Sequence, residues 1–301
     1  MQTTSRVVMV RPVRFAFNEE TAGNNHFQQK TETVPVADKA IEEFDSFVEL
    51  LRSNGVDVTV IQDTLEPWTP DSIFPNNWFS SHSNGELVLY PMFAENRRLE
   101  RKPDMLNFVQ NTIKHNKIID LTHWEAKSEF LEGTGSMIFD RENKITYACR
   151  SPRTSEKVLE DFCKNIGFES VVFNATDKNK NLIYHTNVMM EIGSKIAIVC
   201  LESIENEEER NKLISRLKDT GKVVVEISLE QVDNFAGNML ELQSQDGNPL
   251  MVMSTTARNA LTAEQIATIE KYTKIVSPEI SIIEKNGGGS ARCMIAEIFY
   301  K

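Results

Sequence analysis

The chain has 301 residues, of which 40% are hydrophobic, and its formal net charge is −11 from 33 basic and 44 acidic residues. This length is sufficient for a large core, and no Pro-, Gly- or Ser-rich stretch divides the chain, so we predict a single domain over residues 1–301. Because nucleic-acid binding relies on clustered Lys and Arg, the acidic balance argues against a nucleic-acid partner.

The N-terminal segment contains only a short apolar run, which ends at Arg11 and Pro12. This run is too short for a secretory signal or a membrane span, so we expect a cytoplasmic protein with no membrane partner. The four cysteines are far apart and include no C-x-x-C pair, so neither a zinc site nor a disulfide framework is predicted. Three of them, Cys149, Cys163 and Cys200, lie in apolar runs and are expected to be small buried side chains.

Short runs rich in β-branched residues predict the strands. In chain order they are residues 7–10, 56–61, 86–90, 137–139, 145–149, 171–173, 188–192, 196–201, 223–227, 239–242, 251–253 and 294–299. Amphipathic stretches predict helices at 38–53, 98–115, 155–165, 207–218 and 263–272. The order is close to strand, strand, helix, strand, repeated along the chain. Such a repeat favours a radial arrangement of small α/β units, although a mixed α/β sandwich has the same pattern.

The most informative segment is Asn286-Gly287-Gly288-Gly289-Ser290-Ala291-Arg292-Cys293, which precedes a predicted strand. Glycines have no Cβ and let the backbone approach a ligand closely. A thiol at this loop-to-strand junction, near Arg292 and exposed backbone amides, is better placed to ionise than the other three cysteines. Cys293 is therefore the candidate nucleophile; the alternative is a glycine turn followed by an incidental cysteine.

His185 follows an apolar run at 182–184, which predicts an imidazole at a strand end facing a pocket. A histidine in that context is more often structural, but a thiolate nucleophile needs a proton shuttle, and histidine is the usual one. The remaining histidines have polar or helical contexts and are predicted to be surface or loop residues: His26, His82, His115 and His123.

Two further segments carry polar groups next to turns. Glu132 precedes two glycines and a predicted strand, so it is either a solvated turn residue or a carboxylate that orients the histidine or binds a substrate amino group. Residues 71–78 combine a carboxylate, two amides and two aromatic rings. They form either a simple turn around Pro75 or a recognition loop for a small planar group, with Phe74 or Trp78 as its wall.

Taken together, five motifs resemble the guanidine-modifying superfamily, which includes arginine deiminases, dimethylarginine dimethylaminohydrolases and amidinotransferases. They occur in order over most of the chain: Asp71-x-x-Phe74, Glu132-Gly133-x-Gly135, Ser151-x-Arg153-Thr154, His185-x-Asn187 and Gly287-Gly288-Gly289-Ser290-x-x-Cys293. The resemblance implies an α/β pentein fold, a five-bladed propeller of ββαβ-type repeats around a central site.

Within the superfamily, the sequence is most similar to the bacterial citrulline utilisation hydrolases, also called arginine-deiminase-related proteins. The shared segments are Arg11-Pro12-x-x-Phe15-x-Phe17-Asn18-Glu19-Glu20-Thr21, Phe74-Pro75-Asn76-Asn77-Trp78 and His185-Thr186-Asn187-Val188-Met189-Met190.

This resemblance implies that Cys293 attacks the central carbon of a guanidino or ureido group and that Glu132 and His185 form the acid/base relay. It implies that the substrate is bound by Asp71, Phe74, Asn76, Asn77 and Asn187, with Arg153, Arg97 or Arg98 on its α-carboxylate. No metal or organic cofactor is implied, because the thiolate supplies the nucleophile and water completes the turnover.

Two departures from the family pattern bear on the substrate. Arginine-type members commonly have acidic residues at the positions of Asn77 and Asn187. Removing the partner of a buried charge costs roughly 3–5 kcal/mol, whereas a neutral ureido group carries no such cost and can accept hydrogen bonds from asparagine. We therefore favour citrulline or a related amino acid, cleaved to ornithine, carbon dioxide and ammonia through an S-carbamoyl cysteine. Glu132 and Asp71 could still balance a guanidinium.

Three alternatives stay open. An arginine deiminase or dimethylarginine hydrolase would bind arginine analogues, and an amidinotransferase would need an amine acceptor. A pentein can also be a non-catalytic binding module, as in a ribosome-associated translation initiation factor, but such a protein has no use for a Cys/His/Glu set. Homo-oligomerisation and the choice of carboxylate-binding arginine are left open.

Overall fold

The computed structural model describes residues 1–30 and 35–299. Within that part of the chain, short strands alternate with helices and 3-10 turns. The strands are β1 (Arg6–Arg11), β2 (Asp57–Gln62), β3 (Phe79–Ser81), β4 (Glu86–Leu89), β5 (Lys117–Asp120), β6 (Ile138–Asp140), β7 (Ile145–Cys149), β8 (Glu169–Phe173), β9 (Met190–Ile192), β10 (Ile196–Val199), β11 (Val223–Glu226), β12 (Leu240–Gln243), β13 (Pro249–Val252), β14 (Lys274–Val276) and β15 (Ala296–Glu297).

The helices vary from single turns to eighteen residues. They are α1 (Glu19–Ala22), α2 (Val36–Ser53), α3 (Glu95–Arg98), α4 (Pro103–Thr112), α5 (Gly133–Ser136), α6 (Glu156–Ile166), α7 (Glu207–Asp219), α8 (Leu229–Asp233), α9 (Thr255–Ala260), α10 (Ala263–Ile269) and α11 (Ser281–Gly287). Over the described residues, none of them combines the length and hydrophobicity that crossing a membrane requires.

The strands form five sheets of three strands each. In four of them, two consecutive strands pair antiparallel and the third pairs parallel with the middle strand after a helical crossover: β3-β4-β5, β6-β7-β8, β9-β10-β11 and β12-β13-β14. In the fifth sheet, β15 pairs antiparallel with β1, and β1 pairs parallel with β2. Parallel neighbours need such crossovers, so the predicted strand, strand, helix, strand order is confirmed.

Burial explains why each unit is stable. The middle strands β7 and β10 are buried along their whole length, as expected for strands covered on both faces. Helix α6 shows how the covering helices pack, because its apolar side chains Val158, Leu159 and Phe162 recur at helical spacing and are all buried.

Several predicted boundaries were wrong for local reasons. Strands β3, β5 and β14 were not predicted, because β3 contains two serines, β5 has charged ends and β14 has only three residues. The predicted helix 98–115 is shorter in the structure, where α4 begins at Pro103, because proline favours the start of a helix over its interior. The short helices α1, α3, α5, α8, α9 and α11 were not predicted.

The side chain of Gln2 joins two neighbouring sheets. Its Nε2 donates to the carbonyl oxygens of Phe139 in β6 (2.7 Å) and Ile192 in β9 (2.8 Å). Its Oε1 accepts a hydrogen bond from the backbone N–H of Arg141 at 2.7 Å. One buried amide therefore satisfies three backbone groups.

We predict that Gln2→Ala lowers the free energy of unfolding by about 2–4 kcal/mol, because it leaves buried backbone groups without partners. Urea unfolding followed by circular dichroism measures this loss. The exposed Gln245→Ala is the matched control and should change stability by less than about 0.5 kcal/mol. Equal effects of the two variants would contradict the bridging role.

Candidate active site

In each sheet, the strand that pairs antiparallel with the middle strand follows a short segment that we call its entry turn. The five entry turns are residues 75–77 before β3, 133–136 before β6, 186–188 before β9, 234–238 before β12 and 291–294 before β15. The turn at 75–77 contacts those at 133–136 and 291–294, and the turn at 133–136 contacts the one at 186–188. Cys293, His185, Glu132, Asn76 and Asn77 lie in or beside these turns, so the fold brings together residues that are far apart in sequence. The predicted arginines lie elsewhere, in α3 and after β7.

Cys293 lies in the entry turn before β15 and is almost completely buried. The three glycines before it were predicted to lead directly into a strand, and this prediction was wrong. They instead end α11, where Gly288 has φ +62°. The thiol sulfur accepts hydrogen bonds from two side-chain amides, Asn187 Nδ2 at 3.4 Å and Asn238 Nδ2 at 3.2 Å.

The neighbouring Arg292 does not have the role expected from the sequence. Its guanidinium lies 3.7 Å from Glu191 Oε2, and both side chains are buried. Adjacent residues in a tight turn point in different directions, so Arg292 anchors the turn to β9 while Cys293 faces the site. The predicted help of Arg292 to the thiol is therefore wrong.

His185 and Glu132 form a buried pair, with His185 Nε2 at 2.8 Å from Glu132 Oε2. The other oxygen of Glu132 accepts the backbone N–H of Phe93, and Arg153 Nη1 lies 3.5 Å from Oε2. Burial alone would raise the pKa of Glu132, but the charge of Arg153 and the hydrogen bond from His185 hold that pKa well below its usual range.

Burial lowers the pKa of His185 to about 4, because desolvation outweighs the opposing influence of Glu132. A neutral imidazole next to an ionised carboxylate must donate from Nε2, so Nδ1 carries the free lone pair. His185 is therefore arranged to accept a proton at Nδ1, with Glu132 stabilising the resulting imidazolium.

A small cavity of about 20 Å³ lies beside the candidate nucleophile and base. Both Cys293 and His185 line it, and their described hydrogen bonds go to other residues. The other predicted site residues that line it are Asp71, Phe74, Asn77, Arg97 and Arg153.

The remaining predicted binding residues do not line this cavity. Asn76 Nδ2 donates to Thr134 Oγ1, and Arg98 donates to the carbonyl oxygens of Met92 and Phe93. The alternative that Arg98 binds the substrate carboxylate is therefore wrong. Arg97 and Arg153 line the cavity and remain the candidates for that role.

Arg97 lines the cavity and contacts the entry turn at 75–77. Its guanidinium forms an ion pair with Glu100 at 2.8 Å and donates from Nη1 to Asn77 Oδ1 at 2.6 Å. Burial disfavours the charge, but Glu100 and Asp71 hold the pKa of Arg97 above its usual value, so it stays charged. Asn77 Nδ2 is buried and has no hydrogen-bond partner among the described residues.

Asp71 is a second group with unused hydrogen-bonding capacity. Its Oδ2 accepts from Asn18 Nδ2 at 2.7 Å, whereas its Oδ1 is buried without a partner in the described part of the chain. Burial raises the pKa of Asp71, although Arg97 and Asn18 oppose this change. A buried carboxylate oxygen of this kind is a ready acceptor for a ligand N–H.

Sequence analysis missed several residues of the site. Asn238 contacts the thiol, and Tyr184 lines the cavity and donates its hydroxyl to Gly288 O at 2.7 Å. Of the two positions predicted for His82, surface or loop, the structure shows a loop after β3, where the side chain is buried and hydrogen-bonded to Ser80 Oγ at 2.9 Å.

Comparison with known proteins places this geometry in a family. The family model described as N,N dimethylarginine dimethylhydrolase, eukaryotic, matches residues 11–300. The chain belongs to this family. It is thereby a member of the guanidine-modifying superfamily, as its motifs indicated. No curated protein sequence matches the chain significantly.

Solved structures of related fold include the N-terminal domain of ArgZ, an arginine dihydrolase from the ornithine-ammonia cycle in cyanobacteria, in a Cys-to-Ser variant bound to substrate. That structure has 16% identity and a TM-score of 0.73, covering 98% of each chain. A dimethylarginine dimethylaminohydrolase adduct with S-methyl-L-thiocitrulline has 16% identity and a TM-score of 0.69, covering 99% of this chain and 100% of its own.

A Cys-to-Ala variant of AgrE with L-arginine has 15% identity and a TM-score of 0.74, and covers 97% of this chain. The present chain spans 40% of that AgrE chain and 41% of the full-length apo ArgZ chain.

Gly135 allows the close packing of the entry turns. A Cβ at this position would lie 2.5 Å from Asn77 Nδ2 and 2.7 Å from His185 Nδ1. We predict that Gly135→Ala displaces these groups and lowers kcat by at least about 100-fold. Steady-state kinetics with the substrate proposed below, together with thermal unfolding, measures the effect. Gly23→Ala is the matched control, because a Cβ there meets nothing within 4 Å, and a comparable loss in it would contradict the prediction.

The lowered pKa of His185 also predicts acid sensitivity. In the unfolded chain His185 is protonated near pH 6.5, whereas in the folded chain it is protonated only near pH 4. The free energy of unfolding therefore decreases as the pH falls through this range. The expected loss from this group is about 3 kcal/mol. His185→Gln retains an N–H donor for Glu132 but does not titrate, so its urea unfolding should show a smaller loss. Equal pH dependence in the two proteins would contradict the shift.

Proposed function

We propose that this protein is a cysteine hydrolase that cleaves a C–N bond in the ureido group of citrulline or a related small amino acid. Membership of a family named for hydrolysis at dimethylarginine supports a C–N hydrolase. The finer choice of a ureido substrate rests on unpaired hydrogen-bonding groups of Asn77, which lines the cavity, and of Asn187, which contacts Cys293 without lining it.

The observation that carries the proposal is the orientation of Asn77. A guanidinium only donates hydrogen bonds, so the atom of Asn77 that faces Arg97 must be Oδ1. Its NH₂ group is then left as a buried donor without a partner. A ureido oxygen would accept from this donor, whereas a guanidinium would oppose it with another N–H.

Asn187 supplies the complementary group. Its Nδ2 donates to the Cys293 sulfur, and its Oδ1 is buried without a described partner. The ureido NH₂ can donate to such an acceptor. One unpaired donor and one unpaired acceptor thus match the carbonyl and amine of a ureido group better than the all-donor guanidinium.

Charged side chains around the cavity suit the amino-acid end of the substrate. We infer that Arg97 or Arg153 attracts the α-carboxylate, because both guanidinium groups line the cavity. Asp71 Oδ1, which lacks a partner among the described residues, is the corresponding acceptor for the α-ammonium group. Phe74 packs against the glycines beside Cys293 and walls the planar group.

The proposed reaction begins when the Cys293 thiol transfers its proton to His185 Nδ1 and the sulfur attacks the ureido carbon. The imidazolium, stabilised by Glu132, protonates the departing δ-nitrogen, which leaves as ornithine. Water then cleaves the S-carbamoyl cysteine, restoring the thiol and releasing carbamic acid, which decomposes to carbon dioxide and ammonia. The reaction uses no metal or organic cofactor, because the thiolate is itself the nucleophile.

A guanidino substrate is the second candidate, because Asp71 offers a free carboxylate oxygen and Glu132 a second buried negative charge. The relatives described as an arginine dihydrolase and a dimethylarginine dimethylaminohydrolase also fit this candidate. With arginine or a methylated arginine, attack by Cys293 would expel ammonia or a methylamine, and water would then hydrolyse the S-alkylthiouronium intermediate to citrulline and the free thiol. An amidinotransferase or a non-catalytic binding protein has no comparable support.

We also propose that the five sheets are the blades of a propeller centred on this site. Contacts among the strands that follow the entry turns support this arrangement, since β9 contacts β6 and β12, and β15 contacts β3. The entry turns complete a ring, because Asn238 hydrogen-bonds both Asn187 O and the Cys293 sulfur. A single domain over residues 1–301 and a cytoplasmic location are part of the same proposal.

The deciding assay measures ornithine, citrulline and ammonia after separate incubations with citrulline, arginine and dimethylarginine. We expect ornithine from citrulline, and we expect no product with Cys293→Ala. Citrulline formed from arginine or dimethylarginine, with no turnover of citrulline itself, would replace the ureido proposal with the guanidino candidate.

Asn77→Asp tests the role of hydrogen-bond polarity directly. One carboxylate oxygen can keep the bond to Arg97, while the other replaces the buried NH₂ donor with an acceptor. We predict that kcat/KM for citrulline falls by about 10- to 100-fold and that arginine binds more tightly, because the polarity now matches a guanidinium. The exposed Asn84→Asp is the control. Unchanged citrulline kinetics in Asn77→Asp would contradict the proposed contact.

A further inference from the structure

Asn238 contacts the candidate nucleophile from a segment that carries none of the superfamily motifs. It lies in the entry turn before β12 and is almost completely buried. The preceding Gly237 makes this position accessible, because a Cβ there would lie 2.2 Å from the carbonyl oxygen of Val188. The turn can therefore approach the segment 187–189 closely enough for its side chain to reach Cys293.

The orientation of the Asn238 amide is fixed by the backbone. Its Nδ2 donates to Asn187 O at 3.0 Å, and a carbonyl oxygen can only accept, so the NH₂ group must be on this side. The same Nδ2 lies 3.2 Å from the Cys293 sulfur, which is within hydrogen-bonding range for sulfur. One N–H is thus held by the backbone and the other is directed at the thiol.

The hydrogen bonds that the sulfur accepts come from amide N–H groups, and the thiol itself donates to Asn238 Oδ1 at 3.6 Å, a longer contact than the one from Nδ2. Asn187 Nδ2 is the second donor, at 3.4 Å, and the adjacent Arg292 is ion-paired with Glu191. When the proton leaves the thiol for His185, negative charge develops on a buried sulfur. Fixed N–H donors stabilise such a charge without reorganisation, and hydrogen bonds to a charged group are stronger than those to a neutral one.

We propose that Asn238 is a catalytic residue, whose amide stabilises the Cys293 thiolate and holds the sulfur in position for attack. This inference rests on the proposed function in assigning Cys293 as the nucleophile. The thiol proton moves to His185 Nδ1, and the sulfur lone pair then forms the C–S bond. The N–H of Asn238 stays in place throughout and donates to the sulfur most strongly before that bond forms.

The test measures how readily Cys293 ionises, and it needs no substrate. The full-length protein and its Asn238→Ala and Asn238→Asp variants are alkylated with iodoacetamide from pH 5 to pH 10. The thiolate displaces iodide to form a thioether. Mass spectrometry of the peptide that contains Cys293 separates its labelling from that of the other cysteines, and Cys293→Ser gives the background. The exposed Asn248→Asp is the matched control.

We expect the rate–pH profile of Asn238→Ala to move to higher pH by about one unit, a roughly tenfold slower reaction at neutral pH, because one donor to the thiolate is lost. Asn238→Asp should move it further, because a carboxylate repels the thiolate. Asn248→Asp should match the unmodified protein. With an active substrate, kcat should fall more than KM rises. Thermal unfolding establishes which variants remain folded. If Asn238→Ala does not fold, the rate–pH profile of the nearly isosteric Asn238→Asp decides the result.

A rate–pH profile that is unchanged in the folded variants would overturn the proposal, even if turnover is slower. A shifted profile in a protein that fails to hydrolyse citrulline would support the role of Asn238 while refuting the proposed substrate. The two failures are therefore distinguishable.

Discussion

The pairing of β15 with β1 is the constraint on which the candidate site depends. These strands come from opposite ends of the chain and complete the fifth sheet with β2. In the other four sheets, the entry turn leads into a strand that pairs with the next strand along the chain, so its position is set locally. The turn that holds Cys293 leads instead into β15, whose partner lies almost 300 residues away. Among the described site residues, the candidate nucleophile is therefore the one most dependent on closure of the whole fold, and the glycines before it let α11 end where this closure requires.

A coupled set of buried charges supports the site from behind. Arg97 is paired with Glu100 and lies near Asp71, while Arg153 lies near Glu132, the partner of His185. Removing one member of a buried ion pair typically costs about 3–5 kcal/mol, because the remaining charge has no compensation. Substitution of any of these ions therefore perturbs folding and chemistry together. Neutral side chains that contact both the charged set and the cavity are better probes of mechanism, because changing them leaves the ion pairs in place.

The sequence predicted the order of the elements well, because buried strands and amphipathic helices have distinct periodicities. It also predicted that Glu132 and His185 act together, and the two side chains are hydrogen-bonded in the structure. It did not distinguish Arg97 from Arg98, because neighbours on a helix point about 100° apart and only tertiary packing decides which faces inward. Asn238 was missed for a different reason. Its neighbours suggest only the start of a strand, and its importance appears only when the entry turns of the five units are compared.

The proposed preference for a ureido substrate depends on a contact that does not involve the substrate. Glu100 is paired with Arg97, and Arg97 can only donate hydrogen bonds. Asn77 must therefore direct its Oδ1 at Arg97, which leaves its buried NH₂ group without a partner among the described residues. An aspartate at the same position would keep the contact with Arg97 and present an oxygen in place of the NH₂ group. Exchange of one group would thus reverse the polarity seen by the substrate with little movement of the backbone. Relatives with 15–16% identity share the fold closely, so the hydrogen-bond donors and acceptors of the site, and not its architecture, must decide between a ureido and a guanidino substrate.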